Sequence, residues 1–334
     1  MKESQAHPHS IPSPPGPSVP SSLRPSVPSS LPSPQIVGIL NLTPDSFSDG
    51  GRYADTDAAV RAAQQMIADG ADILDLGGES TRPGAPRIDA AEQIRRVIPV
   101  IQRLTANNLQ PKPGQSESSS AAPGSSVVNI RVRVSIDTTL VAVARAALDA
   151  GATIINDVSA GLDPRNRPRN RPRNRNETSM LQLAAERDVP IILMHLPGEP
   201  ATMQVDPRYG DVVAEVREFL LRRAEAAIAA GVKPQRIVLD PGIGFGKTTE
   251  HNLRLLAHLG DLVNTGYPIL LGASRKRFLG QITGVTDPAR RVAATCATTA
   301  IGVMAGVRYF RVHDVAENRH AADVTCAALS HQNK

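Results

Sequence analysis

Three polar residues of this sequence each end a short apolar run: Asp137, Asn156 and Asp240. One such residue alone is often a plain helix cap. Carboxylates at the buried end of a strand, however, need a ligand or a basic partner to offset the cost of their desolvation. Together the three side chains could offer hydrogen-bond donors and acceptors to a planar ring that carries amide groups.

A cationic group comes later in the chain, at the last two apolar runs. Arg275, Lys276 and Arg277 follow one run, and Arg311 and His313 end the other. Such a group could bind phosphate, which barrel enzymes often hold in their last two loops. The alternatives are a solvated charge run for the first three residues and a purely structural role for the histidine.

Asn41 lies in the stretch GILNLTPDSFSDGG (38–51), which is longer and more polar than a turn requires. With the nearby Asp45 it offers oxygen ligands of the kind that Mg²⁺ prefers, and that ion keeps several waters and relies on substrate phosphates. The sequence has no HxxxH pattern and no His/Cys cluster, so we do not expect a zinc site.

The segment PGIGFGKT (241–248) resembles a phosphate-binding P-loop only in part. That motif needs a glycine five positions before its second glycine, and Pro241 stands there instead. The segment also follows the sixth apolar run rather than the first. We therefore expect a glycine-rich turn that lets a ligand approach closely, with Phe245 either an exposed aromatic at the site or a core residue.

These residues must be positioned by eight short apolar runs, which alternate with Ala-rich segments of helical spacing. The runs predict strands at 36–40, 72–76, 132–136, 153–156, 190–194, 236–240, 268–272 and 308–312. Four helical segments end at a glycine, as expected of left-handed C-caps: Gly70, Gly151, Gly231 and Gly306. Eight such βα units predict an α/β protein with a (β/α)₈ TIM-barrel fold, and a doubly wound open sheet is the main competitor.

The polar clusters follow the predicted strands, while the joins from helix to strand carry nothing comparable. In a barrel the loops after the strands form the catalytic face, and the loops after the helices form the opposite face. This asymmetry predicts an enzyme.

Composition narrows the range of partners. The chain has 334 residues, 41% of them hydrophobic, and no apolar run approaches the roughly 18 residues of a membrane span. The net charge of +5 comes from the segment PRNRPRNRPRNR (164–175): the chain's 37 lysines and arginines less these six arginines leave 31, against 32 acidic residues. Nucleic-acid-binding proteins spread basic residues over a folded face. We expect neither nucleic acid nor membrane as a partner.

Cysteine usage indicates the compartment. The two cysteines, Cys296 and Cys326, lie in helix-like segments and lack metal-ligand spacing. We expect free or buried thiols in a reducing compartment, which predicts a cytoplasmic protein.

Three segments of low complexity interrupt the pattern. Residues 1–34 are rich in proline and serine and are predicted to be a disordered tail. Further inserts are predicted at about 108–126 and at 163–176, the second containing the arginine run. The rest of 35–334 is predicted to form one domain.

Eight motifs in order resemble the dihydropteroate synthase family of folate biosynthesis, over roughly residues 35–330: ILNLTPDSFSDGG, DLGGESTRPGA, SIDT, INDVSAG, LMHLPGEPATMQ, VLDPGIGFGKT, GASRKRFLG and RVHDV. The resemblance implies a (β/α)₈ barrel that is usually homodimeric. The implied reaction condenses 6-hydroxymethyl-7,8-dihydropterin diphosphate with p-aminobenzoate, and sulfonamides target enzymes of this kind.

The resemblance also implies roles for individual positions. Asp137, Lys276, Arg311 and His313 would be catalytic. The pterin pocket would contain Asp137, Asn156, Met194, Asp240 and Lys276. The diphosphate would be bound by Asn41, Arg311 and His313, and Asn41 would also bind Mg²⁺. The p-aminobenzoate pocket would be formed by Thr81, Arg82, Pro83 and Phe245, with Arg277 near its carboxylate.

On this reading the methylene–oxygen bond breaks with cationic character on the pterin, and Asp137 stabilises that charge. The stretch that begins at Asn41 would be a closing lid, with a hinge at Gly50 and Gly51.

Two departures from the family pattern are visible. Arg277 stands where some members have serine, and the arginine run follows the fourth strand as either a bystander loop or a device that steers anionic substrate.

The sequence leaves two alternative functions open. A methyltetrahydrofolate–corrinoid methyltransferase would share the fold and the pterin pocket but would need no diphosphate site. A non-catalytic pterin-binding relative would have lost turnover.

Overall fold

The computed structural model describes residues 33–43, 51–80, 87–106, 132–166, 178–198 and 203–332. The predicted tail, apart from Ser33 and Pro34, and the predicted insert at 108–126 lie outside these ranges. All eight predicted strands are present within them: β1 (Gln35–Asn41), β2 (Ile73–Gly77), β3 (Arg133–Asp137), β4 (Ile154–Asp157), β5 (Ile191–Met194), β6 (Ile237–Asp240), β7 (Leu270–Leu271) and β8 (Tyr309–Val312).

Helices follow the strands and lie between them along the chain. The helices in the described ranges are α1 (Gly51–Ala68), α2 (Ala90–Ala106), α3 (Val141–Asp149), α4 (Met180–Arg187), α5 (Val212–Ala229), α6 (Thr249–Ala257), α7 (Leu259–Val263), α8 (Arg277–Thr283), α9 (Val292–Met304) and α10 (Val315–Gln332). None of these helices has the length and apolarity that crossing a bilayer requires.

The strands form a closed parallel barrel rather than an open sheet. Their hydrogen-bonded order is β6-β5-β4-β3-β2-β1-β8-β7. The remaining gap is bridged between Leu239 and Ile269, and the N–H of Leu239 donates to the carbonyl of Pro268 at 3.0 Å. The prediction of a (β/α)₈ barrel is confirmed, and the doubly wound alternative was wrong.

Two apolar layers explain why the strands are apolar on both faces. Inside the barrel, one buried cluster fills the end at which the strands begin, formed by Val37, Ile73, Ile154, Ile192, Val238 and Leu270. A larger cluster packs the outer faces of the strands against the helices. With both faces covered, only polar residues at the carboxyl ends of the strands remain accessible to a ligand.

The predicted glycine C-caps are confirmed. Gly70, Gly151, Gly231 and Gly306 all have positive φ, between 87° and 111°. At Gly151 a side chain would also meet Thr105 at 2.9 Å. These glycines turn each helix back towards the next strand.

The predicted insert at 163–176 begins later than the sequence suggested. Pro164–Asn166 form a 3₁₀ turn, and Asp163 is buried. The side chain of Asn166 accepts from the N–H of Val141 at 3.0 Å and donates to the carbonyl of Thr139, so it closes the start of α3. Because its first residues make these specific contacts, the arginine run is in part integral to the barrel.

Candidate active site

The barrel register brings four residues from four strands onto one level. Asn41 pairs with Gly77, Gly77 pairs with Asp137, and Asp137 pairs with Asn156. Parallel strands in register present their carboxyl ends at the same edge. The structure therefore brings together three of the predicted site residues at the mouth of the barrel.

Arg311 lies inside the barrel between two carboxylates. Its Nε donates to Asp75 Oδ2 at 2.6 Å, and its Nη2 donates to Asp137 Oδ2 at 2.7 Å. Asn156 Nδ2 also donates to Asp75 Oδ2, at 3.0 Å. Four strands are thus connected through one guanidinium and one amide.

Asp75 is a site residue that was not predicted from the sequence. This residue is completely buried, in a strand whose five positions are all buried. The available signal was an acid that stands between two leucines within the apolar run ILDL (73–76), because a buried carboxylate requires a partner. Here that partner is Arg311, which comes 236 residues later in the chain.

One oxygen of each carboxylate has no hydrogen-bond partner among the described residues. Asp75 Oδ1 and Asp137 Oδ1 are buried and make no hydrogen bond with the part of the chain that the structure describes. Burial raises the pKa of Asp137, the nearby Arg311 opposes that rise, and Asp75 adds to it. These oxygens are acceptors for donors that a ligand would bring.

Arg311 is correspondingly held in its charged form. Burial alone would lower its pKa, but the attraction of Asp75 and Asp137 outweighs that effect and raises it.

Asp240 and Lys276 form the opposite wall. Burial raises the pKa of Asp240 to about 6, although the N–H of Gly242 donates to its Oδ1 at 2.7 Å and opposes the rise. Burial and the charge of Arg311 lower the pKa of Lys276 to about 7. Met194 pairs with Asp240 in the register and is buried.

Gly272 leaves space within this wall. A side chain there would lie 3.9 Å from Asp240 Oδ2 and 4.0 Å from the Cβ of Arg311. The absence of a side chain therefore keeps a gap between an acid and a base inside the barrel.

The glycine-rich turn at 241–248 is fixed by Lys247. Its Nζ donates to the carbonyls of Gly242 and Phe245 and contacts His195 Nδ1, each at 3.0 Å. The amine is therefore directed into the protein, and the exclusion of a nucleotide P-loop is consistent with that geometry. Gly242 has φ of 65°, and a side chain there would overlap the carbonyl of His195.

Phe245 lies at the site rather than in the core. It is half-buried, and the Nζ of Lys276 lies 3.7 Å from the centroid of its ring. A cation over an aromatic face is attracted by the ring quadrupole. The contact fixes the ring and the amine relative to each other.

The backbone of the Lys276 loop is fixed on both sides. Arg275 has φ of 57°, and its Nε donates to Asp314 Oδ2 at 3.0 Å. The buried Arg291 donates to the carbonyls of Arg275 and Lys276 at 3.0 and 3.4 Å. A strained backbone conformation at a functional site persists when its surroundings determine it in this way.

The predicted cationic group is only partly as expected. Arg275 is paired with Asp314, while Arg277 is exposed as the first residue of α8. His313 is uncharged at neutral pH, because burial and the charges of Arg311 and Arg275 lower its pKa to about 3. Of the predicted cations, the one held in its charged form inside the barrel is therefore Arg311, with Lys276 close enough to feel its charge.

Hydrogen bonding sets the orientation of His313. Its backbone N–H donates to Ser274 Oγ at 3.1 Å, and its Nδ1 lies 2.9 Å from the same oxygen. The hydroxyl of Ser274 can donate to Nδ1 of the neutral ring, and in that tautomer the ring proton lies on Nε2. The neutral imidazole then acts as a hydrogen-bond donor.

Asn41 is the residue that could hold a metal. A side chain at Gly77 would lie 3.7 Å from Asn41 Oδ1 and 3.7 Å from Asp137 Oδ2, so the glycine leaves space between these two oxygens. The described ranges contain no cluster of three His, Cys, Asp or Glu residues with metal-binding spacing. One or two oxygen ligands are what Mg²⁺ uses when substrate phosphates and waters complete its shell, so the residues present fit that ion.

Several predicted residues cannot be placed. Thr81, Arg82 and Pro83 lie outside the described residues. The same holds for residues 44–50, which include Asp45 and the proposed hinge glycine Gly50, and Gly51 is described only as the first residue of α1.

The geometry agrees with comparisons to known proteins. The chain matches the model of the family "Pterin binding enzyme" over residues 37–111 and 124–313. It is 44% identical over 302 residues to the dihydropteroate synthase of Mycobacterium leprae, covering 88% of this chain and 93% of that protein.

Comparison with solved structures also finds dihydropteroate synthases. A dihydropteroate synthase of Xanthomonas albilineans with 4-aminobenzoic acid has a TM-score of 0.74 and 41% identity, covering 90% of this chain and 94% of that one. The Yersinia pestis dihydropteroate synthase in a sulfonamide drug complex has a TM-score of 0.74 and 37% identity, covering 90% and 96%.

Proposed function

The chain belongs to the pterin-binding enzyme family as a dihydropteroate synthase, and from this premise we propose how its own residues divide the reaction. The reaction condenses 6-hydroxymethyl-7,8-dihydropterin diphosphate with p-aminobenzoate and releases 7,8-dihydropteroate and pyrophosphate. The observation that carries the assignment is the buried arrangement in which Arg311 joins Asp75 and Asp137 inside the barrel.

The pterin binds to the polar groups inside the barrel. The unpartnered oxygen of Asp137 and the carboxylate of Asp240 accept hydrogen bonds from the ring, while Asn156 and Lys276 add further polar contacts. Met194 provides the apolar contact to the ring face. A site built from buried polar groups rejects analogues that leave those groups unpaired.

The chemical step begins with breakage of the methylene–oxygen bond. The electron pair leaves with the diphosphate, and positive charge develops on the pterin next to Asp137. Arg311 and the Nε2–H of His313 bind the departing diphosphate, with Lys276 nearby as a further cation. The aniline nitrogen of p-aminobenzoate then attacks the methylene carbon and loses a proton.

Asn41 holds Mg²⁺ together with the diphosphate in this proposal. The bound ion supplies charge neutralisation on the phosphate oxygens. Support comes from the space that Gly77 leaves between Asn41 Oδ1 and Asp137 Oδ2. Replacing Asn41 by Ala should raise the Mg²⁺ concentration that gives half-maximal activity; an unchanged requirement would contradict this role.

The p-aminobenzoate binds at the rim. Phe245 packs against its ring, and Arg277, exposed at the start of α8, binds its carboxylate. The family resemblance also assigns Thr81, Arg82 and Pro83 to this pocket. The attacking amine is then directed into the barrel.

The protein acts as a homodimer in the cytoplasm. Apolar side chains are exposed on α9 and α10: Ile301, Met304 and Val324. Such side chains on two packed helices suit a second copy of the chain. Light scattering after size-exclusion chromatography should give a molar mass of two chains. The double variant Met304→Lys, Val324→Lys should give the mass of a single chain. The free thiols Cys296 and Cys326 agree with a reducing compartment.

Pyrophosphate release tests the assignment. The purified chain should release pyrophosphate only when both substrates are present, and Mg²⁺ should increase the rate. Tight pterin binding without release would indicate the non-catalytic relative. Methyl transfer from methyltetrahydrofolate to a corrinoid, with no use of the diphosphate, would indicate the methyltransferase.

A further inference from the structure

Arg165 connects two loops at the mouth of the barrel. It is the first arginine of the run 164–175 and the only one of the six that the structure describes. Its Nη1 and Nη2 donate to the two oxygens of Glu79 at 3.3 and 3.2 Å. Its Nε and Nη2 also donate to the two oxygens of Asp163, at 3.2 and 2.8 Å. Paired contacts of this kind fix direction as well as distance.

Glu79 closes the base of the loop after β2. It follows Gly77 and Gly78, and its Oε1 accepts from the N–H of Ile88 at 3.0 Å. The carboxylate therefore holds together the two ends of the segment between them. Arg87, at the far end, lies 3.5 Å from Asp163. Both ends of this segment are thus attached to the loop after β4.

Arg165 itself stands on a fixed support. Its Nη2 donates to Thr139 Oγ1 at 2.8 Å, and Thr139 follows Asp137 by two residues. The next residue, Asn166, is bonded to the start of α3. The guanidinium therefore holds the loop after β2 in a fixed position relative to the carboxyl ends of β3 and β4.

We propose that Arg165 is a positioning residue for the acceptor side of the site. This inference rests on the proposed function. It holds the base of the loop after β2, from Glu79 to Ile88, and residues 81–83 within that segment are those that the family resemblance assigns to p-aminobenzoate. The steering and bystander interpretations of the arginine run both treat this arginine as equivalent to the others, and the contacts distinguish it.

Charge repulsion explains why the loss of Arg165 would displace the loop after β2. The side chain of Asp163 is 3% exposed and that of Glu79 is 14% exposed, and both face the same Nη2. Without the guanidinium, two poorly solvated carboxylates would repel each other, with Arg87 remaining as a partner of Asp163. The loop base would move away from the β4 loop.

Steady-state kinetics of the full chain test this role. Arg165→Ala should raise the KM for p-aminobenzoate about tenfold while kcat and the KM for the dihydropterin diphosphate stay within about twofold. Arg165→Lys keeps the charge but loses the fork and should give an intermediate KM. A general loss of folding would instead reduce kcat and the active fraction without this selectivity.

Two controls separate position from charge. Arg145 makes a similar forked contact to Glu186, at 3.1 and 3.3 Å, between α3 and α4, and Arg145→Ala should leave both KM values unchanged. Deletion of residues 168–175 removes four arginines of the run but keeps Arg165, and it should also leave the KM for p-aminobenzoate unchanged.

A double-mutant cycle links the effect to Glu79. Glu79→Gln keeps an acceptor for Ile88 but loses the ion pair, so it should raise the same KM. Combined with Arg165→Ala, it should add little further. An unchanged KM in Arg165→Ala, equal rises for both substrates, or the same rise on deleting 168–175 would each overturn the proposal. Failure of the wild-type chain to release pyrophosphate would instead overturn the proposed function.

Discussion

The guanidinium of Arg311, on the last strand, donates through Nε to the carboxylate of Asp75, on the second strand, at 2.6 Å. The carboxylate is completely buried, and its other oxygen has no hydrogen-bond partner among the described residues. The pair fixes the plane of the guanidinium, so that Nη2 reaches Asp137 at 2.7 Å. Asp75 is therefore the support on which the cation at the site rests.

Removing the charge of Asp75 should impair turnover more than folding. Asp75→Asn keeps the size of the side chain but weakens the hold on Arg311, and we expect kcat to fall about 10²-fold, as small displacements at a site can cause. Asp72→Asn is the matched control, since Asp72 pairs with Arg319 at the opposite end of β2 and also accepts from the N–H of Ile36 at 2.7 Å. The control should keep kcat. Equal losses in both variants would contradict the role of Asp75.

Asp137 should be needed for the chemical step rather than for the fold. Asp137→Asn should retain the circular dichroism spectrum and lose most turnover, by about 10²-fold or more, because the negative charge next to the developing cation is removed. Single-turnover kinetics with saturating substrates would separate this effect from binding. A kcat like that of the wild type would exclude charge stabilisation by Asp137.

The pH dependence of kcat/KM for the pterin diphosphate should be bell-shaped. Burial raises the pKa of Asp137 and raises that of Asp240 to about 6, so both carboxylates become protonated and lose their charge on the acidic side. Burial and Arg311 lower the pKa of Lys276 to about 7, so the amine loses its charge above that pH. The ratio kcat/KM reports groups of the free enzyme.

Lys276→Arg tests the alkaline side of that profile. Arginine stays charged at all these pH values, so the variant should keep its remaining activity above pH 7 while the acidic side is unchanged. Lys233→Arg, at an exposed pair with Asp188, should leave the whole profile unchanged. An alkaline limb that persists in Lys276→Arg would assign it to another group.

Lys247 should contribute to stability through the turn at 241–248. Lys247→Ala removes the Nζ donor from the carbonyl of Phe245 and from that of Gly242, which keeps the N–H of Phe245 as a donor. We expect the free energy of unfolding to fall by about 1–3 kcal/mol. Urea unfolding measures it, with Lys233→Ala as the exposed control, expected to cost less than about 1 kcal/mol. Similar losses in the two variants would show that the buried contacts contribute nothing special.

Much of the site could be predicted because polar residues at strand ends stand out against apolar runs. Asp137, Asn156 and Asp240 were recognised in this way, and the register places the first two side by side. Asp75 was not recognised, because it interrupts a strand rather than ending it. Glu79 and Arg165 were missed since their meaning lies in a contact between segments 86 residues apart.

Charge was the property that sequence reasoning estimated least well. Arg275 and His313 were counted with the cations of the site, yet one is paired with Asp314 and the other is neutral. A residue type gives the ordinary pKa, whereas burial and neighbouring charges determine the actual one. The arginine run was likewise treated as uniform, although its first arginine, Arg165, forms ion pairs with Glu79 and Asp163.

The amino-acid order alone determined the number of strands, the glycine ends of helices and the side of the barrel on which polar residues collect, because these follow from local periodicity and backbone sterics. The tertiary structure alone decided which charges meet. Barrel closure brings β8 next to β1 and so places Arg311 between Asp75 and Asp137. Electrostatic partners are set by distance in space and by exclusion of water, and neither quantity can be read along the chain.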